Sequence, residues 1–570
     1  MNENRNMVLA IVLSALVLLG WSMLSDRFMP PTATPQTQKV EDGKVEPIPQ
    51  PQAGPVEQSP AKMRAREQVL AEGQRVRIQT PSVEGSLNLT GARIDDLVLL
   101  KERQSIGRDS PPVRLLSPGG APGAYFASFG WTGQGVEVPG PDAQWTASAP
   151  LLQPGKPVTL SWANSTGQTF QMIVSVDENY LFTVRQRVEN RGSGPVAVRP
   201  YGLINRAQKS QDDDYWTVHV GPMAYLNGAA DYGIDWDSIE GGKTERFDSR
   251  GGWLGFTDKY WMTALAPAGN PQMAASFTGT PNGGFQADYA EAPRIVPAGG
   301  VIETATRLFA GAKVKALLDT YEEAGIPMLS KAIDWGWFEW FMRPLFDVLD
   351  WLFDRTGNFG VAIICLTIIV RLIMFPIAQK QFKSFAAMRK VQPKLKALQA
   401  KYKDDKPKLQ QEMLKLYKDE KINPAAGCLP ILLQIPIFYA LYKVLMVSVE
   451  MRHQPFMLWI KDLSAPDPLT PLNLFGLLNF TPPAFLLIGI LPILLGITMW
   501  LQFKLNPQQM DPTQQAIFSW MPWVMMVILA PFAAGLVLYW VTSNVLTIAQ
   551  QWWLYRRFGL HLSDTHPVAT

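Results

Sequence analysis

The sequence predicts a multi-domain membrane protein: six transmembrane α-helices, a large β-sandwich on one side of the membrane and a helical hairpin on the other. Three observations lead there. At 570 residues the chain is too long for one ordinary domain. Apolar runs of about the ~20 residues needed to cross a bilayer crowd its last third. Residues 64–324, by contrast, read as strands alternating between apolar and polar positions. A mean hydropathy near zero averages these unlike parts, and the net charge of +3 hides a strongly basic stretch at Lys380–Lys421.

Taken in order, the chain opens on a short polar head with Arg5, followed by an apolar run from Met7 to Leu24. That run of 18 residues exceeds the roughly 7–15 of a secretory signal, and no Ala-x-Ala site follows. Residues 1–28 therefore read as an uncleaved anchor helix. Residues 29–63 are rich in Pro, Gln and Thr (PPTATPQTQ, PIPQPQ), a composition that buries no core and reads as an extended linker.

Residues 64–324 are expected to fold as a β-sandwich large enough to bury its own core without disulfides. Tyr180, Phe182, Val184 and Val188 fall on one face of a strand, with Thr183, Arg185 and Arg187 on the other; Thr169–Val176 and Pro157–Trp162 are further strand candidates. The aromatics Trp162, Trp216, Trp253 and Trp261 fit packing better than a carbohydrate cleft. In residues 325–357, Trp335, Trp337, Trp340 and Trp351 alternate with acids, as in a helix lying in the headgroup region, with Pro344 expected to break it in two. A buried helix of the β domain is the alternative.

Residues 358–555 hold the other five spans. The first, Asn358–Gln379 (NFGVAIICLTIIVRLIMFPIAQ), contains Arg371 among Ile368, Ile369, Val370, Leu372, Ile373 and Met374. A guanidinium near the middle of a membrane helix costs about 2.5–3.5 kcal/mol on insertion scales, so it points to function. Snorkelling towards the nearer helix end, roughly 9 Å away at about 1.5 Å per residue, is the competing account. Residues 380–421 follow, with thirteen Lys or Arg against five Asp or Glu, and apolar positions recurring every three or four residues on both sides of Asp404-Asp405-Lys406-Pro407. This pattern is a helical hairpin with a basic outer face, Asp404-Asp405-Lys406-Pro407 supplying an N-cap candidate and a first-turn proline for its second arm. Cys428–Val447 and Ala484–Phe503 are the next spans, and Ala516–Trp553 splits at Pro531–Gly535 into two more. The basic hairpin and the tail 556–570, with Arg556 and Arg557, are expected on the cytoplasmic side, and the β domain on the opposite side.

Several chemistries lack their residues. No phosphate-binding Gly-x-x-x-x-Gly-Lys-Ser/Thr loop occurs, the four histidines have no metal-ligand spacing, and the two cysteines, Cys365 and Cys428, form no framework. No Asp or Glu lies within a span, against an intramembrane protease or a proton-coupled transporter. Ser519 and Ser543 have no evident base, and Lys443 lies near a helix end. No catalytic residue, metal or cofactor is expected. Arg371 is then a charge without a carboxylate partner in the spans. Thr367, one turn before it, Gln434 in the next span and Tyr539, Ser543 and Asn544 in the last would together make a polar, water-filled recess.

The segments NFGVAIICLTIIVRLIMFPIAQKQ, QPKLKALQAKYKDDK, NPAAGCLPILLQIPIFYALY, LWIKDLSAPDP and PAAGLVLYWVTSNVLTIAQQ, in this order, resemble the YidC membrane-protein insertase family. The anchor, linker and β domain resemble its Gram-negative type, whose external domain is a periplasmic β-supersandwich. The resemblance implies a five-helix insertase core behind the anchor, in the bacterial inner membrane with both termini cytoplasmic. It also implies an insertase and chaperone that moves hydrophobic segments of nascent membrane proteins into the bilayer, alone or beside the Sec translocon. Ribosome and targeting factors would meet the cytosolic hairpin, membrane lipids would surround the spans, and DNA is not a partner. The family's groove arginine corresponds to Arg371 and its polar neighbours to Thr367, Gln434 and Tyr539. Trp540 stands where relatives often have a second tyrosine, which removes a hydroxyl. A channel or transporter for an anionic solute and an envelope scaffold with a glycan-binding β domain are the competing readings.

Overall fold

The computed structural model describes residues 63–557, apart from 108, 211–217, 281–282, 403–404, 421–428, 476–477, 479–487 and 506–511. The anchor 1–28, nearly all of the linker, Trp216 and most of the tail lie outside the described residues. The chain divides into two compact units, the first ending at Ala332 and the second comprising Ile333 onward with two short loops, 104–111 and 215–218.

The first unit is built from two antiparallel sheets, eleven- and nine-stranded among the described residues. The larger runs, edge to edge, from Thr244–Arg250 through Gln272–Gly279, Phe285–Glu291, Val196–Arg206, Tyr125–Gln134, Arg93–Arg103 and Val83–Asn88 to Arg75–Gln79, which takes Leu151–Leu152 as a parallel edge. In the smaller, Leu181–Asn190 lies between Val301–Ala312 and Gln168–Val176. Its alternation is the one the side chains anticipate: Phe182, Val184 and Val188 are buried, while Arg185 faces solvent. Period-two burial fixes such a register, because a one-residue slip would turn every apolar side chain outward. Gln186 shares the inward face and is also buried. Its Nε2 donates to the carbonyl of Gly130 on the larger sheet at 2.7 Å, so an amide crosses between the layers. Of the tryptophans, Trp253 is fully buried and Trp162 packs on Phe170 at 5.8 Å.

The second unit is helical: α1 (Glu339–Thr356), α2 (Phe359–Lys401), α3 (Lys406–Asp419), α4 (Leu429–Val447), α5 (Ile490–Leu505), α6 (Pro512–Leu529) and α7 (Ala534–Arg557). Pro344 does not break α1, contrary to expectation. A proline there removes one backbone bond, while Met342, Phe346, Leu349 and Leu352 line up as a buried stripe that holds the helix through it. Trp340 and Trp351 are exposed on the other face and Trp337 is exposed just before the helix, whereas Trp335 is buried against Phe346 at 5.7 Å. The helix belongs to this unit and not to the β domain. Gly357, in the left-handed conformation at φ 65°, closes α1, and Asn358 caps α2 by accepting the Val361 N–H at 3.1 Å. The Phe353 and Phe359 rings stack across this joint at 3.8 Å.

Beyond Gln379, α2 continues unbroken to Lys401. Asp405 caps α3 by accepting the Lys408 N–H at 3.1 Å, and Pro407 sits in its first turn. Val391 packs against Leu416 and Tyr417, and Lys394 meets Glu420 at 2.5 Å. Among the described residues one segment, Phe359–Gln379, is long and apolar enough to cross a bilayer, with mean hydropathy 2.6; Gln434–Val447, Ile490–Leu505 and Ser519–Leu529 are shorter apolar helices. Within the fourth predicted span, Ala484–Phe503, residues 484–487 lie outside the described residues and α5 begins at Ile490. The start is set by Asp467, buried in the preceding loop: its carboxylate accepts the Leu491 N–H at 2.7 Å, the Leu469 N–H at 3.1 Å and the Trp459 indole N–H at 2.9 Å. The break at Pro531 is present, and α7 begins at Ala534 with its first N–H groups donating to the carbonyls of Ala465 and Leu463 at 2.8 and 2.9 Å.

Candidate functional site

α2 and α7 pack on each other, and two i,i+4 pairs occupy these helices: Thr367 with Arg371, and Tyr539 with Ser543. Arg371 is partly buried, and its Nε donates to Ser543 Oγ at 3.2 Å; Nη2 donates to the same hydroxyl. From α4, Gln434 Nε2 donates to the Tyr539 hydroxyl at 2.6 Å. One turn of α7 thus carries the contact to Arg371 and the contact to Gln434. Asn544, next to Ser543, donates from Nδ2 to Thr498 Oγ1 on α5 at 3.2 Å, bringing a fourth helix to the cluster.

Two residues with a predicted role stand elsewhere. The Thr367 hydroxyl is buried and donates to the carbonyl of Ile363 at 2.6 Å, so it is satisfied within its own helix and not turned on Arg371. Trp540 packs its ring on Phe438 at 4.7 Å and contributes bulk instead of a hydroxyl. Sequence reasoning missed Thr498, whose spacing gives no hint of it. It also underestimated Lys443, which is fully buried in α4 and paired with Asp334 at 3.1 Å. The only signal of that pair was opposite charge on two membrane-edge segments.

The electrostatics are one-sided. Ser543 neutralises nothing, and a hydroxyl offers a guanidinium one or two of the many acceptors it can engage. A partly buried cation held only by a neutral partner is costly unless water or an incoming anion completes its shell. Among the described residues no group of three or more His, Cys, Asp or Glu side chains converges as a metal site would require. The arrangement can bind, orient and attract; it holds no nucleophile with an adjacent base.

Comparison with known proteins also divides the chain in two, with the boundary inside α1. The family model described as "60Kd inner membrane protein" matches residues 351–560, and that described as "YidC periplasmic domain" matches residues 75–348. A protein named "Membrane protein insertase YidC" from Zymomonas mobilis subsp. mobilis is 47% identical over 563 residues, covering 98% of this chain and 96% of its own. One of the same name from Bradyrhizobium diazoefficiens is 42% identical over 600 residues, with 98% and 97% covered. The crystal structure titled "Active YidC insertase crystal structure with the first transmembrane domain resolved" is 21% identical, covering 84% of this chain and 92% of its own at a TM-score of 0.37. At that score the assignment rests on the sequence matches.

Proposed function

The chain belongs to the YidC membrane protein insertase family, and from that premise we propose that the recess around Arg371 is where it receives nascent membrane-protein segments. The observation that carries this is the contact set of Arg371: a guanidinium within the apolar segment Phe359–Gln379, bonded to a serine hydroxyl and to no carboxylate among the described residues. A cation of this kind in a low-dielectric recess draws acidic or polar stretches of a substrate out of the cytoplasm. The apolar stretch beside them then leaves laterally, because it is more favourably placed in lipid than in a wet recess. No bond is made or broken, and no cofactor takes part.

In this reading the six spans are the anchor 7–24, α2, α4, α5, α6 and α7, and α1 lies in the outer interface. The hairpin 380–421 and both termini are cytoplasmic, and the β domain is periplasmic. The basic outer face of α3 and of the end of α2 supports first contact with ribosomes and targeting factors. Binding of this sort weakens steeply with salt. Cooperation with the Sec translocon and a chaperone role while helices assemble complete the proposal. Of the recess residues, Gln434 and Tyr539 support one wall, Thr367 and Trp540 pack the helices that frame it, and Ser543 orients the guanidinium.

The test is reconstitution. Purified protein in liposomes is expected to insert a small membrane protein with an acidic exported tail without ATP. Arg371→Ala is expected to reduce insertion several-fold and Arg371→Lys to reduce it less. Undiminished insertion by the alanine variant would remove the role assigned to Arg371, and uptake of a small anion by the same liposomes would point to a channel.

A further inference from the structure

We propose that the joined ends of α5 and α7 form a binding site for the headgroup of an anionic phospholipid. Three basic side chains each lie over a tryptophan four residues earlier: Lys504 over Trp500 at 3.9 Å from the ring centroid, Arg556 over Trp552 at 3.8 Å and Arg557 over Trp553 at 5.0 Å. All six side chains are exposed. The two helix ends are tied together, since the Tyr555 hydroxyl donates to the carbonyl of Leu505 at 2.8 Å. Lys504 and Arg556 are the sequence neighbours of that bond, which puts the three cations at the same joined end of the two helices, and Phe375 of α2 lies 5.8 Å from Trp553 there. Among the described residues none of the three has a carboxylate partner.

The chemistry selects the ligand. Indole rings settle at headgroup depth, and a cation lying on an indole face is held at the same depth instead of reaching into water. A guanidinium presents two parallel N–H groups to phosphate oxygens, and the exposed Leu501 and Val545 continue the apolar surface along which acyl chains would lie. A ribosomal RNA backbone also carries phosphate, but it would need cations that project from the membrane, and these three are folded back onto their own helices. The proposal rests on α5 and α7 spanning the membrane and not on how substrates are inserted, so failure of the liposome insertion assay leaves it standing.

The test uses the full chain in detergent, examined by native mass spectrometry while phosphatidylglycerol or phosphatidylcholine is titrated in. Wild type is expected to retain phosphatidylglycerol selectively. The variant K504Q/R556Q/R557Q is expected to bind it about a hundredfold more weakly, at roughly fivefold for each of the three basic residues near the surface. Phosphatidylcholine binding is expected to be equal in both, and K504R/R556K/R557K to fall between them, since charge is kept while the two arginines' paired N–H groups are lost. Because a triple change can disturb the fold, R556Q is measured alone, with a few-fold loss expected at an unchanged melting temperature. Equal retention of phosphatidylglycerol by the glutamine variants would overturn the proposal. So would its displacement by millimolar inorganic phosphate, or a loss of ribosome co-sedimentation with lipid binding intact, which would assign the patch to free phosphate or to RNA.

Discussion

Arg371 and Asp288 show how differently a partly buried and a fully buried charge are treated by one chain. Arg371 is left with a hydroxyl, whereas Asp288, buried in the β unit, accepts from Ser276 Oγ at 3.0 Å and from Gln286 Nε2 at 2.9 Å. Burial still dominates there, and it pushes the Asp288 carboxyl up from an ordinary 3.8 to about 6 against the lowering by those hydrogen bonds. The folded state therefore holds a proton that the unfolded chain has already lost between those two values. This contribution to stability is complete below about 3.8, falls as pH rises and is gone above about 6. Its size is on the order of 3 kcal/mol at 1.36 kcal/mol per unit. Asp288→Asn is expected to flatten that part of the profile, measured as urea unfolding of the β unit in steps from pH 4 to pH 7. Arg371 was legible in the sequence because a charge in an apolar run violates the local pattern. Asp288 sits in an alternating strand like any other polar residue, and its burial follows from a sheet pairing the local pattern does not contain. The same holds for Thr498 and for Asp334 with Lys443, whose meetings depend on which helices become neighbours.

Among the elements, α5 owes its start to a side chain twenty-four positions earlier. Asp467 satisfies an N–H of the first turn and also fixes Trp459, so Asp467→Ala removes a helix cap and leaves buried donors open together. Loss of a cap costs about 0.5–2 kcal/mol and each buried unsatisfied group about 1–3 kcal/mol. A fall in melting temperature of several degrees is expected for the detergent-solubilised chain, with Asp467→Asn intermediate because an amide oxygen still accepts. The strand pattern at Tyr180–Val188, a helix start within Asp404–Pro407 and the break at Pro531 were legible because each is a short-range signal of backbone chemistry. Pro344 was misread for a related reason: proline weakens a helix locally, but the stripe of Met342, Phe346, Leu349 and Leu352 is a packing interaction that outweighs one lost bond. Where α5 begins could not be read locally, since its cap comes from a distant loop.

At the scale of the whole chain, Arg371, Ser543, Gln434 and Tyr539 all lie in the helical unit, while the two sheets belong to the other. Deleting residues 64–291 is therefore expected to spare most insertion in the liposome assay; its abolition would show that the β domain takes part in the transfer itself. The joint between α1 and α2 has a consequence for depth. Only Gly357 separates α1 from the Asn358 cap, so if α1 lies along the outer surface as proposed, the span that follows is hung from a fixed height. Arg371 is thirteen residues below that cap, about 20 Å at roughly 1.5 Å per residue. In a hydrocarbon layer of about 30 Å, some two-thirds of the thickness lies above the guanidinium and about a third below it. Under the proposed topology, a chain arriving from the cytoplasm would cross only about 10 Å before meeting fixed positive charge, and α1 would act as the gauge that sets this distance from the far side of the membrane.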